Sequence, residues 1–153
     1  MVMTEIKTLE KEDLDLLVPL AKEYREAHES LKFKNDYKEI FIKYFEGLLN
    51  DKEKVAIVAK VRGEIVGMIV GTIDDNSRLM LPEKIGYVPF LTVLKKARRN
   101  GIGKKLVEEL NKWFKKRNIN LIELYTSIDN SEAKEFWEKR GYNVYLERRF
   151  KEI

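Results

Sequence analysis

One segment restricts the possible folds of this chain more than any other part of its sequence. Residues 91–104 read Leu-Thr-Val-Leu-Lys-Lys-Ala-Arg-Arg-Asn-Gly-Ile-Gly-Lys. This pattern predicts an apolar strand, a basic turn with two glycines, and then an amphipathic helix. Unpaired N–H groups at the start of a helix form an electropositive seat for an anion, and glycine lets a ligand approach the backbone. We therefore expect residues 99–104 to bind a pyrophosphate.

Two better-known phosphate-binding loops do not fit this segment. A P-loop needs a glycine five residues before its Gly-Lys pair and a hydroxyl after the lysine, but Arg98 and Lys105 occupy those positions. A dinucleotide-binding loop needs a third glycine where Leu106 stands, and it follows an early βαβ unit. The segment is therefore a different kind of anion-binding turn.

The remaining periodicity predicts the element order β-α-α-β-β-β-α-β-α-β within a single domain over residues 1–153. The expected strands are 3–9, 54–61, 64–73, 85–94, 120–127 and 142–150, and the expected helices are 11–29, one from 36, 101–116 and one from 131. Pro19 predicts a kink or two short helices. Gly67 and Gly71 predict a bulge or a close backbone contact, and Pro89 predicts an irregular strand.

The composition excludes several classes of site. The chain has no cysteine and one histidine, so disulfides, thiolate metal sites, His-rich metal clusters and cysteine nucleophiles are excluded. No metal site is therefore expected. The absence of cysteine favours a reducing compartment, and with no apolar segment long enough to span a bilayer it predicts a cytoplasmic protein. The net charge of +4 suits an anionic cofactor as well as a nucleic acid.

At residues 98–103, Arg-Arg-Asn-Gly-Ile-Gly, the sequence resembles the GNAT superfamily of N-acetyltransferases. A second element at 130–142, Asn-Ser-Glu-Ala-Lys-Glu-Phe-Trp-Glu-Lys-Arg-Gly-Tyr, is similar to the family's later conserved segment. The resemblance extends over nearly the whole order of elements from Met3 to Tyr142. It implies an α+β fold with three α/β/α layers, whose mixed, mostly antiparallel sheet is splayed at the cofactor-binding strand.

The resemblance also implies acetyl-CoA as the acetyl donor and an amine as the acceptor, with the amine attacking the thioester carbonyl directly. The backbone of the strand would pair with the pantetheine arm, the turn would hold the pyrophosphate, and the later helix would flank the pantetheine. The cofactor-binding residues implied in this way are Leu91, Thr92, Val93, Arg98, Arg99, Asn100, Gly101, Ile102, Gly103, Lys104, Asn130 and Phe136.

The catalytic positions depart from the family pattern. Trp137 replaces the tyrosine that many members use as the general acid, and an indole N–H is not a proton donor of suitable pKa. Tyr87 and Tyr125 stand where two branches of the family place a glutamate base. Glu83, at the mouth of the strand that contains Tyr87, would act as a base through a water. These three residues are the candidates for catalysis.

Three readings follow from these patterns. The leading one is an N-acetyltransferase whose acceptor is a small amine or a protein amine, and the sequence does not distinguish them. The second is a coenzyme-binding sensor or interaction domain that has lost turnover, as the missing acid and base suggest. A nucleic-acid-binding domain is disfavoured because exposed aromatics do not alternate with the basic residues. The short C-terminal region predicts an exposed sheet edge, and a homodimer is the corresponding hypothesis.

Overall fold

The computed structural model describes residues 3–153, so Met1 and Val2 of the predicted 1–153 domain lie outside the described residues. The elements in chain order are β1 (Thr4–Thr8), α1 (Val18–Ala27), α2 (Tyr37–Leu48), β2 (Lys54–Val61), β3 (Glu64–Asp75), β4 (Lys84–Val93), α3 (Ile102–Lys115), β5 (Ile122–Glu123) and α4 (Ser131–Glu138). Two 3-10 turns, Lys11–Leu17 and Lys95–Ala97, stand before α1 and after β4.

The strands form one sheet in the order β1-β2-β3-β4-β5. Neighbouring strands are antiparallel except β4 and β5, which are parallel. Leu110 and Phe114 of α3 belong to the apolar cluster on one face of the sheet. Leu17, before α1, and Phe45 of α2 belong to the cluster on the other face. The predicted α+β class, with three α/β/α layers and a mixed, mostly antiparallel sheet, is confirmed.

Pro19 divides the first helical segment as predicted. The segment forms the 3-10 turn Lys11–Leu17 and then α1, in which the proline occupies the first turn. A proline is tolerated there because the N–H that it lacks has no partner within the helix.

An irregularity in β4 determines which face of the sheet its side chains point to near the site. The β3–β4 register passes from Thr72↔Tyr87 to Val70↔Phe90, so two residues of β4, including Pro89, stand opposite Gly71 alone. This bulge accommodates a residue that has no N–H to donate to the ladder, as the sequence predicted. Paired residues share a face of the sheet, so Tyr87 and Phe90 both point towards α1 and α2. A Cβ at Gly71 would lie 2.4 Å from Leu110 Cδ1, so the predicted close backbone contact is also present.

Two predicted strands differ from the structure. The strand expected over 120–127 is reduced to Ile122–Glu123, because β5 pairs with β4 only at Gly86 and Tyr87. The strand expected over Tyr142–Phe150 is wrong: residues 143–153 form no strand and are exposed. A strand needs a neighbour to satisfy its backbone groups, and beyond Glu123 the chain has left the sheet edge that this segment would have paired with.

Candidate functional site

A cavity of about 1050 Å³ opens beside the second half of β4. Its walls come from β4, the turn that leads into α3, the start of α3, the end of α1 and the region around α4. The predicted cofactor residues that line it are Leu91, Thr92, Val93, Arg98, Arg99, Gly101, Ile102, Gly103, Lys104, Asn130 and Phe136. The structure therefore brings residues from the two sequence elements, 98–103 and 130–142, together around one space.

The turn before α3 has the backbone geometry of an anion seat. Arg99 and Gly101 both have positive φ, 62° and 74° respectively. Alternation of left-handed residues with ordinary ones turns successive N–H groups towards one concave side. Helix α3 begins directly afterwards at Ile102, so its first N–H groups and the positive end of its dipole face the same space. Residues 99–104 therefore fit a diphosphate.

Gly103 is required for a second reason, which the sequence did not indicate. A Cβ at this position would lie 3.1 Å from Cε2 of Phe136, tighter than an ordinary contact. The absence of a side chain thus lets the Phe136 ring pack against the first turn of α3. Asn130 holds the same wall, because its side-chain oxygen accepts the N–H of Ala133 at 3.0 Å and caps α4. The later motif therefore closes the cavity next to the anion seat.

Arg98 and Asn100 brace the turn through their side chains. The Nε of Arg98 donates to the Val93 carbonyl at 2.9 Å, and its guanidinium lies 3.5 Å from the carboxylate of Glu23. The Asn100 amide donates to the carbonyls of Ala97 and Arg98 at 3.2 and 3.1 Å. Arg98 lines the cavity, whereas Asn100 does not. Both side chains hold the shape of the turn.

Sequence comparison identifies the family of this fold and site. Residues 17–142 match the acetyltransferase (GNAT) family. The chain is 32% identical to an uncharacterized N-acetyltransferase of Archaeoglobus fulgidus over 136 residues, which cover 87% of this chain and 88% of that protein. The chain belongs to the GNAT acetyltransferase family. It is accordingly an acetyl-CoA-dependent acetyltransferase.

Solved GNAT structures share the fold at low sequence identity. An acetyltransferase of Clostridium acetobutylicum crystallised with acetyl-CoA is 22% identical, with a TM-score of 0.78 and coverage of 96% of each chain. An aminoglycoside N-acetyltransferase in complex with CoA is 14% identical, with a TM-score of 0.80 and coverage of 100% of this chain and 96% of that chain. These likenesses confirm the architecture.

The splayed edge of this GNAT sheet begins at Tyr87. Beyond its pairing with Glu123, β4 continues to Val93, and within residues 3–153 no strand pairs with it on that side. Tyr87 and Tyr125 meet at this point with ring centroids 5.8 Å apart. We call the space around these two tyrosines the apex. The two residues that the family pattern aligns to a base are thus neighbours in space.

Burial, followed by the nearby Tyr125 and Tyr24, raises the pKa of Tyr87 above its ordinary value. Burial alone raises the pKa of Tyr24 on α1. A phenol with a raised pKa keeps its proton at neutral pH, so Tyr87 and Tyr24 are suited to donate hydrogen bonds and poorly suited to accept a proton.

Glu83 and Trp137 occupy places that bear on their expected roles. Glu83 is exposed in the segment before β4, outside the cavity, and its carbonyl accepts the N–H of Asn76 at 2.8 Å. Trp137 is buried in the apolar core, with its ring centroid 5.0 Å from those of Phe136 and Tyr142. Trp137 therefore anchors α4 through packing.

Two cavity-lining residues at the end of α1, Glu23 and His28, are not among the predicted site residues. The sequence favours a solvated loop position for His28 over a role as a base, although the family resemblance places that loop over the acceptor site. Glu23 stands three residues after buried Leu20, so an inward-facing carboxylate on an amphipathic helix was the available signal. Glu23 is 6% exposed and accepts the Lys95 N–H at 2.7 Å. His28 ends α1 and is half-buried. Their contact with the β4 side depends on tertiary packing.

Among residues 3–153, no group of three or more His, Cys, Asp or Glu side chains is arranged to hold a metal ion. Within the same described range, no helix is both long and apolar enough to cross a membrane.

Proposed function

We propose that this GNAT protein transfers the acetyl group of acetyl-CoA directly to a primary amine at the apex. The observation that carries the proposal is the open edge of β4, which starts beside the apex and continues to Leu91–Val93, where the strand lines the cavity next to the anion seat. An extended pantetheine arm suits an open strand edge, and a diphosphate suits the turn that follows. The end of β4 and the turn line the same cavity.

In this proposal the chain's residues divide into four groups. The backbone of Leu91 and Val93 receives the pantetheine arm, and the N–H groups of residues 99–104 hold the diphosphate. Asn130 and Phe136 form the part of the cavity wall next to the anion seat. Tyr87 and Tyr125 line the place where the acceptor meets the thioester, with Glu83 further out at the mouth of the strand.

The coenzyme supplies a thioester whose acetyl carbon is attacked by the amine nitrogen. In the overall balance an ammonium and acetyl-CoA give an acetamide, the free thiol and one proton. One N–H proton ends on the sulfur, and the other leaves through a base. Trp137 is buried and supplies no acid. The reaction is feasible without a dedicated acid, because a thiol with a pKa of about 8.5 is a tolerable leaving group.

The alternative function, a coenzyme-binding sensor without turnover, is supported by the protonated state of Tyr87 and the core position of Trp137. Two measurements separate the functions. Coenzyme A raises the melting temperature under both, because a ligand that binds only the folded state stabilises it. Thiol release from acetyl-CoA, measured with spermidine, sisomicin, L-lysine and a short peptide with a free amino terminus, occurs only for the catalyst.

The Gly103→Glu variant tests the placement of the coenzyme. Its carboxylate enters the anion seat and meets Phe136, so we expect the thermal shift with coenzyme A to disappear. Glu138→Gln, at an exposed position on α4 outside the cavity, serves as the control for expression and folding. An unchanged thermal shift in Gly103→Glu would place the diphosphate elsewhere. The cytoplasmic location and the homodimer expected from the sequence stay predictions.

A further inference from the structure

The single histidine of the chain has a defined orientation at the end of α1. His28 Nδ1 lies 2.8 Å from the carbonyl oxygen of Tyr24. A carbonyl oxygen can only accept, so Nδ1 must carry the hydrogen in this bond. In the neutral imidazole the lone pair is then on Nε2. The fold therefore selects the tautomer that has an unprotonated Nε2.

The ring of His28 is held next to the open part of β4. Its centroid lies 4.3 Å from that of Tyr24, and the Tyr24 ring lies 5.0 Å from that of Phe90. His28 and Leu91 line the same cavity. Phe90 and Tyr87 point to the same face of the sheet, so Tyr24 lies over the stretch of β4 between the apex and Leu91, and His28 packs against Tyr24.

Aromatic rings make this wall suitable for a cation. Tyr24 and His28 stack with an interplanar angle of 36°, and Tyr87 and Tyr125 form a second aromatic pair at the apex. An ammonium group is attracted to the faces of such rings. Tyr24 and Tyr87 retain their protons, whereas the Nε2 lone pair of the neutral His28 imidazole can accept one.

On the basis of the proposed acetyl transfer, we infer that His28 is the general base that removes a proton from the acceptor ammonium through Nε2. The neutral amine then forms the bond to the acetyl carbon, and the carbon–sulfur bond breaks. The proton held by the imidazolium leaves to solvent, and the second N–H proton goes to the sulfur. The Tyr24 carbonyl keeps its hydrogen bond from Nδ1 throughout and stabilises the imidazolium that forms.

The charged groups on the surrounding walls are of both signs. Glu26 and Glu29 flank His28 on its own segment, Lys95 and Arg98 come from the turn after β4, and Asp129 comes from the segment before α4. The pH at which a titration occurs in the pH–rate profile therefore does not identify His28 as its source. The loss of that titration in a His28 variant identifies it.

Nuclear magnetic resonance tests the tautomer without activity. Since the sequence contains one histidine, the imidazole nitrogen signals belong to His28 without further assignment. We expect a protonated Nδ1 and an unprotonated Nε2 in the neutral protein without ligands. The opposite tautomer would overturn the inference, because Nε2 would then have no lone pair for the ammonium proton.

Kinetics test the role itself. His28→Asn retains an N–H donor for the Tyr24 carbonyl but has no base. With the fastest amine of the panel of spermidine, sisomicin, L-lysine and the short peptide, we expect kcat/KM at neutral pH to fall about 10²–10⁴-fold. The acidic limb of the pH profile should disappear, while the KM of acetyl-CoA stays unchanged. Free imidazole should partly restore the rate of His28→Gly, a result that a purely structural role does not produce.

Lys34→Asn is the matched control, because Lys34 is exposed in the same loop and outside both the main cavity and the smaller one beside it. A His28→Asn enzyme with wild-type rates at all pH values would overturn the inference and leave the proposed function in place. A wild-type protein that binds coenzyme A but releases no thiol with any panel amine would remove both.

Discussion

The carboxylate of Glu23 accepts the backbone N–H of Lys95 at 2.7 Å, although the two residues are 72 positions apart in the chain. The same oxygen lies 3.5 Å from the guanidinium of Arg98. Because Arg98 also donates to Val93, one buried carboxylate on α1 holds the end of β4 and the turn that forms the anion seat. The helix on the acceptor side is thereby joined to the coenzyme side.

Replacement of Glu23 should weaken both the fold and coenzyme binding. In Glu23→Ala the Lys95 N–H loses its partner, and we expect the free energy of unfolding to fall by about 1–3 kcal/mol in urea. Glu23→Gln keeps an acceptor oxygen but loses the charge that faces Arg98, so its main effect should be a higher KM for acetyl-CoA. Glu46→Gln, exposed on α2 and outside the cavity, is the comparison. Equal KM values for the two glutamine variants would contradict this role.

Two glycines with the same backbone conformation should give different outcomes. Gly101 has φ 74° before α3, and Gly63 has φ 78° in the β2–β3 hairpin, and at both positions a Cβ would have no neighbour within 4 Å. Alanine is strained at both positions, and we expect about 1 kcal/mol of destabilisation in each variant. Coenzyme A affinity, measured by calorimetry, should fall only in Gly101→Ala. A similar loss in Gly63→Ala would argue against a local effect at the seat.

Alanine should have opposite effects on stability at two other glycines, Gly86 beside α3 and Gly47 within α2. A Cβ at Gly86 would lie 2.7 Å from Cε1 of Phe114, so Gly86→Ala should overpack the core and cost about 1–3 kcal/mol of unfolding free energy. At Gly47, within α2, nothing lies within 4 Å of the new atom. Gly47→Ala should therefore raise stability by about 1 kcal/mol through helix propensity. Chemical denaturation measures both, and a stabilised Gly86→Ala would refute the contact.

Stability should depend on pH through Asp13. Burial raises the pKa of this carboxyl, but the hydrogen bonds from Lys60 and from the Glu10 N–H, with the charges of Lys60 and Lys7, outweigh burial and lower it overall. Because the folded pKa lies below the unfolded value, the stabilisation is complete above the unfolded pKa and is lost as the pH falls through the folded one.

At neutral pH we therefore expect Asp13→Asn to lower the free energy of unfolding by about 1.5–3 kcal/mol. The difference from the wild type should close in acid, once the native carboxyl is protonated. Urea unfolding at a series of pH values measures this. Asp15→Asn, at an exposed position of the same 3-10 turn, should show no such pH-dependent difference. If Asp13→Asn were still less stable than the wild type in acid, the charge of Asp13 would be excluded as the cause of the difference.

The homodimer is a prediction for sedimentation. The C-terminal segment exposes Val144 at 86% and Leu146 at 69%, next to a sheet edge that β5 covers for two residues only. Exposed apolar side chains beside an open edge favour association with a second copy. We expect a dimer at high protein concentration, and the double change Val144→Glu and Leu146→Glu should shift it to monomer. A wild-type monomer at every concentration would exclude the dimer.

The sequence alone determined the local features that carry the coenzyme site. Two glycines and a basic turn between an apolar strand and an amphipathic helix are sufficient to predict an anion seat, because backbone conformation and helix ends are set by neighbouring residues. Pro89 likewise predicted the irregularity of β4, since a proline cannot donate to a ladder.

Only the tertiary structure decided which distant residues join that site. Glu23 and His28 reach the cavity because α1 packs across β4, and no local pattern records a contact over 72 residues. The alternation in 142–150 predicted a strand, yet no ladder forms there, because a strand needs a neighbour as well as a pattern. Periodicity fixes which face of an element is apolar, whereas packing fixes what that face meets.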